Sequence, residues 1–177
     1  FDVTPKQLLK IQGLDFNSLY RTRMANYEYG AGVFKVDWAL SQPIPFSNEK
    51  CRRSGTVHLG FTKEEIEESE KYIHQKNMTD TPYVLVAQHT IFDNSRAPGD
   101  QHTAWAYCHV PAGSAKDMTD AIENQVERFA PGFRDLILDR HVMNTEAMEL
   151  YNPNYIGGDI NGGVIDIRQL FTRPVIG

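Results

Sequence analysis

The sequence predicts an α+β fold, an antiparallel or mixed β-sheet with helices packed on one side. Three observations carry that expectation. GVFKVDWAL, residues 32–40, places Phe34, Val36, Trp38 and Leu40 on one face and Lys35 and Asp37 on the other, the period-two pattern of a strand with one buried side. HTAWAYCHV, residues 102–110, alternates as well, with Thr103, Trp105, Tyr107 and His109 against Ala104, Ala106, Cys108 and Val110. Met118, Ala121, Ile122, Val126 and Phe129 recur at helical spacing, the stripe of a helix that covers a sheet. Strands and helices follow one another without a strict βαβ rhythm, which separates α+β from α/β.

Along the chain, Thr4 stands as cap to a short helix over Pro5 to Ile11, with proline where a missing N–H is tolerated. A second helix is expected around Phe16 to Tyr27, before the strand at 32–40. The turn-rich SQPIPFSNEKCRRSG ends that strand, and a short one, TVHLG, follows. Thr62, Lys63, Glu64 and Glu65 form a capping box that opens a charged surface helix to about His74. YVLVAQHTIF and HTAWAYCHV, joined by DNSRAPGDQ, read as antiparallel neighbours. Ser114 and Asp117 start the striped helix near 115–129, and Pro131 and Gly132 end it. A short helix FRDLIL, an edge strand RHVMN, the segment TEAMELY and a final short helix VIDIRQLF complete the order.

At 177 residues with 41% hydrophobic content, the chain suits one domain, residues 1–177. A net charge of −5 argues against a nucleic-acid partner, which needs clustered Lys and Arg. Cys51 and Cys108 lie far apart without CxxC spacing, so neither a zinc knuckle nor a disulfide framework is supported, and a reducing cytoplasm fits. No apolar run reaches the ~20 residues of a spanning helix. The six histidines make no HxH, HxxxH or HExxH pair, and no metal site is expected. There is no GxSxG elbow, no phosphate-binding loop and no dinucleotide fingerprint; GAGVFK enters a strand where such a fingerprint would leave one.

Two places invite a functional reading. Trp105, Tyr107 and His109 would share one strand face, either as a wall for an apolar ligand or as core aromatics with His109 bonded to a backbone group. NYIGGDINGG, residues 154–163, gathers Gly157, Gly158, Gly162 and Gly163 around Asp159 and Asn161. Glycine freedom there permits a tight excursion with exposed N–H groups, next to a helix start that favours a negative or polar ligand atom. The alternative is a structural turn in which Asp159 and Asn161 bond their own backbone and cap the following helix.

YGAGVFKVDWALSQPIPF, CRRSGTVHLG, VLVAQHTIFDNSRAPGDQHTAWAYCHVPAGS, IENQVERFAPGFRDLIL and YNPNYIGGDINGG with RQLFTRP, in that order, resemble the later half of FAD-dependent oxidoreductases related to phytoene desaturase. The resemblance runs from about Val3 to Val175. It implies a fragment: the substrate-binding domain of a larger flavoprotein, without the N-terminal GxGxxG and C-terminal flavin-binding segments that family members carry. The opening at Phe1 and the stop at Gly177 suit that expectation. The intact enzyme would move hydride equivalents between an apolar small-molecule substrate and FAD, with the flavin carrying the redox chemistry. The fragment alone is expected to be inactive and to hold no FAD. Its partner would be the missing FAD-binding domain, and the location cytoplasmic, or membrane-peripheral for the intact enzyme. No firm catalytic residue carries over; Asp159 and Asn161 are the candidates, Trp105, Tyr107 and His109 the substrate-binding ones, and Gly157, Gly158, Gly162 and Gly163 an interface loop near the cofactor. A free-standing binding module for an apolar ligand, and an interaction domain that self-associates through an exposed interface, stay open as alternatives.

Overall fold

The computed structural model describes residues 3–171. In chain order its elements are α1 (Pro5–Leu8), α2 (Ser18–Ala25), β1 (Gly32–Leu40), α3 (Glu49–Arg52), β2 (Thr56–Leu59), α4 (Lys63–His74), β3 (Val84–Ala87), β4 (His102–Val110), α5 (Thr119–Phe129), β5 (Ile137–Met143), α6 (Thr145–Tyr151) and α7 (Ile167–Leu170). The five strands form one sheet in the order β2-β3-β4-β1-β5, and every neighbouring pair is antiparallel. The fold is α+β, and the sheet is purely antiparallel.

The strand alternation decides which face is core. β1 and β4 pair over their full length, from Gly32 opposite Val110 to Leu40 opposite His102. That register sets Phe34, Val36 and Trp38 beside Cys108, Ala106 and Ala104. Val84 and Val86 on β3, and Val57 and Leu59 on β2, continue the same buried face. α5 crosses it, with Ile122 and Val126 fully buried against the sheet and Met118, Ala130 and Phe133 closing the margins. The alanines of β4 keep the middle of the sheet low, so the helix can approach without a cavity. The stripe read from the sequence is therefore the packing face of α5.

Glu123 also lies on α5's buried side, 3% exposed. Its carboxylate accepts from Trp38 Nε1 at 3.1 Å and from Arg140 Nε at 2.9 Å. A buried charge needs such partners, and here they lock α5 to β1 and to the edge strand β5.

Elsewhere tertiary bonds override local pattern. The expected strand 83–92 stops at Ala87. Gln88 is buried, its Nε2 donating to Cys51 O at 2.7 Å and Ser54 O at 2.8 Å, and Thr90 Oγ1 donates to Thr103 O on β4. These bonds turn the chain into two short 3₁₀ turns, at His89–Ile91 and Asn94–Arg96. The expected helix FRDLIL shrinks to one 3₁₀ turn, Arg134–Leu136, because Ile137 is taken up by pairing with Leu40. β5 thus starts earlier than expected, at the edge beside β1. TEAMELY becomes α6, capped by the Asn144 side chain, which accepts from Ala147 N at 2.9 Å.

Two cap assignments change as well. The Thr62 hydroxyl accepts from Glu65 N at 3.2 Å as expected of a capping box, while the Glu65 carboxylate accepts from Arg128 and Gln125 of α5. Thr4 stands before α1 without a side-chain cap bond, and its backbone N–H donates to Asn154 Oδ1 at 3.0 Å.

Candidate functional site

The face of the sheet opposite α5 carries Trp105, Tyr107 and His109, all half-buried. The alternative that placed these aromatics in the core is corrected: the small residues of β4 are the core, because α5 needs a low surface, and the rings stand on the other side. Trp105 and Tyr107 stack at 6.2 Å between centroids with planes 11° apart, and Tyr107 meets His109 at 5.9 Å. Lys35 on the neighbouring strand places its ammonium 5.6 Å from the Trp105 ring centre, and is paired with Asp37. Partial burial pushes the Tyr107 hydroxyl above its ordinary pKa, so that hydroxyl stays protonated in the physiological range.

The row ends in a cleft of about 550 Å³ between the sheet, α4 and the glycine segment. His109 and Glu70 line it, together with His74, Lys76, Tyr29, Asn161 and Gly163. Among the described residues the His109 ring bonds no backbone group. Its Nδ1 lies 3.1 Å from both oxygens of Glu70, an arrangement that fixes the ring and turns Nε2 away from the carboxylate. The hydrogen bond from His109 holds the Glu70 carboxyl below its ordinary pKa of 4.5, with burial opposing and the charges of His109 and His74 assisting.

A pH prediction follows from that direction. Glu70 has a depressed folded-state pKa, so its contribution to stability is present above 4.5 and is lost as pH falls through the lowered value. Glu65, lowered chiefly by its hydrogen bond from Arg128, acts in the same window. The urea midpoint of Glu70→Gln should lie below that of the wild type at pH 6, and the two should converge towards pH 3. Midpoints that stay equally separated through the acid limb would show that the pair contributes nothing.

The structure brings His109 together with Asn161 and Gly163 in this cleft, but Asp159 does not line it. Asp159 is 0% exposed, beneath the glycine segment. Its Oδ2 accepts from Gly30 N at 2.7 Å and Gly163 N at 2.9 Å, and its Oδ1 from Asn161 N at 2.7 Å. The two polar candidates therefore differ in kind, one an internal clamp and the other an exposed side chain. Neither caps α7, the last described helix; Asp166 does, accepting from Gln169 N at 2.7 Å.

The exposed N–H groups expected of the glycines are largely spent. Gly157 N donates to Glu149 Oε2, Gly158 N to Tyr155 O and Gly163 N to Asp159. Gly158, at φ +84°, lies against Thr145, and a Cβ there would sit 2.8 Å from that side chain. Gly163, at φ +144°, lies under Tyr27, whose hydroxyl donates to Gly162 O at 3.1 Å. Close backbone packing, not an open anion nest, is what these positions require. With its donors committed, the segment does not fit a cradle for flavin phosphates.

Glu70, Lys76 and Tyr29 are cleft residues that sequence reasoning missed. The i, i+4 spacing of Glu70 and His74 puts both on one side of α4, but which surface that side meets depends on how the helix lies across the end of the strands. A scan against protein-family models finds no family that matches the chain, and no curated protein matches it.

Proposed function

We propose that the chain is the substrate-binding portion of an FAD-dependent oxidoreductase of the phytoene-desaturase-related class, in which the open sheet face forms one wall of the cavity for an apolar substrate. The observation that carries this reading is the row Trp105, Tyr107 and His109, half-exposed on a sheet whose other face is fully committed to core. Ligand sites are largely apolar surfaces with a few placed polar groups, and this row ends at His109 and Glu70. The ordered blocks that resemble that enzyme class support the same reading.

The redox chemistry belongs to the flavin when it is bound; the residues of this chain would orient the substrate and exclude water from it. Nothing in the glycine segment is assigned to the cofactor.

The test has two arms. The 177-residue chain should purify colourless and retain no FAD through gel filtration, while a longer gene product containing it should carry stoichiometric flavin. In that longer product, Trp105→Ala and Tyr107→Ala should raise KM for an apolar substrate several-fold with flavin content unchanged. A longer product that folds without flavin would discard the oxidoreductase reading and leave a free-standing binding module, for which the same two variants should weaken ligand binding directly.

A further inference from the structure

His109 stands where the aromatic row meets the cleft, and the two nitrogens of its ring are in different situations. Nδ1 lies 3.1 Å from both oxygens of Glu70. The Glu70 carboxyl, held below its ordinary value by that bond, is ionised at neutral pH and can only accept, so the proton of the neutral imidazole resides on Nδ1. Nε2 is left as a lone-pair acceptor. It makes no hydrogen bond among the described residues, where the buried side-chain atoms without a partner are Thr4 Oγ1, Gln88 Oε1 and Arg134 Nε. Nε2 is therefore accessible, on a ring that lines the cleft.

The cavity of about 550 Å³ is walled by Ile73, Pro111, Ala112 and Val164 between its polar groups. Among the described residues the charged side chains on that wall are one lysine, Lys76, and one carboxylate, Glu70, so the fixed charges offset one another and neither an anion nor a cation is favoured. Beyond His109 the surface continues as Tyr107 and Trp105, whose rings stack. Apolar walls with one placed acceptor match an uncharged ligand that carries a donor at one end and hydrocarbon behind it. We propose that the cleft binds the hydroxyl end of such a molecule, the O–H donating to His109 Nε2 and the apolar stem lying along Tyr107 and Trp105. Glu70 is a positioning residue: it does not touch the ligand, but it holds the tautomer that lets Nε2 accept. A bare hydrocarbon would cover Nε2 without giving it a partner, a cost that the hydroxyl removes. The hydroxyl site rests on the reading of the sheet face as a wall for an apolar ligand and names the end group of that ligand; it needs no flavin.

The test titrates the 177-residue chain with hexanol, with its isomer pentyl methyl ether and with hexylammonium, following the imidazole nitrogens of His109 and the indole N–H of Trp105 by NMR. The pH is 8, above the ordinary histidine value of about 6.5. The free chain should show His109 as the Nδ1–H tautomer. Hexanol should shift Nε2 saturably and bind about fivefold more tightly than the ether, which has the same size and no donor. His109→Phe keeps a ring in the row and should abolish that preference while the ether still binds. Glu70→Ala should let the proton move to Nε2 and abolish the preference in the same way, whereas a merely structural Glu70 would leave the tautomer as it was. Equal affinities of wild type for hexanol and ether would overturn the hydroxyl site and leave the apolar wall standing; failure of all three probes to bind would overturn both. Tighter binding of hexylammonium than of hexanol, or an Nε2–H tautomer in the free chain, would overturn the hydroxyl site as well.

Discussion

Asp159→Ala should destabilise the protein by on the order of 4 kcal/mol, lowering Tm by roughly 10 °C, with the loss appearing in folding before any ligand is added. The residue is 0% exposed and accepts three backbone N–H groups, from Gly30, Asn161 and Gly163. Truncation removes the acceptor that these N–H groups share, the Gly163 bond buried and the other two part-buried, and losing an acceptor at a buried donor costs more than a hydrogen bond normally contributes. It also cuts a link between distant parts of the chain, because Gly30 leads into β1 while Gly163 belongs to the last described segment. Asp159→Asn keeps the shape but turns a donor towards N–H groups, so it should lose about half as much. Asn161→Ala should stay within about 0.5 kcal/mol, since its backbone N–H makes the bond and its side chain is exposed. Urea denaturation of the three variants checks the set. An Asp159→Ala protein within 1 kcal/mol of wild type, by the yardstick of an ordinary surface substitution, would mean that the clamp does not hold the segment.

The second large effect belongs to the core. Trp38→Ala should cost about 4 kcal/mol, because the indole is 2% exposed and meets Phe133 edge-on at 5.0 Å between centroids. Trp38→Phe separates packing from polarity. It keeps a ring against Phe133 but withdraws the N–H from Glu123, at about 1–2 kcal/mol. Arg140→Met withdraws the other close donor. If Glu123 is held jointly, the double variant Trp38→Phe/Arg140→Met should depart from the sum of the singles by about 1 kcal/mol or more. Strict additivity in the denaturation midpoints would show that the two donors stabilise Glu123 independently.

These two variants sit at places of very different legibility. Trp38 could be placed in the core from period two alone, and Ile122 and Val126 from helical spacing, because burial on one side of a regular element leaves a repeating mark in the sequence. Asp159 left no such mark. An aspartate among glycines looks the same whether it faces a ligand or three amides of its own backbone, and Gly30, the donor that decides between these readings, lies 129 residues away.

The sequence by itself determined the α+β class, the antiparallel pairing of YVLVAQHTIF with HTAWAYCHV, the buried face of β1, the alternation of β4 and the stripe of α5, because each is written in local periodicity and turn chemistry. Tertiary structure alone decided the strand order β2-β3-β4-β1-β5, which edge β5 occupies, and where the strand after Ala87 breaks. The same holds for the candidate site. Trp105, Tyr107 and His109 were legible as one face, but that this face is the open one follows from which side the small residues of β4 offer to α5. The cleft that joins His109, Glu70, Lys76 and Asn161 draws on β4, α4 and the last described segment. Residues so far apart in the chain share no period or spacing, and only the packing of those elements against one another brings their side chains together.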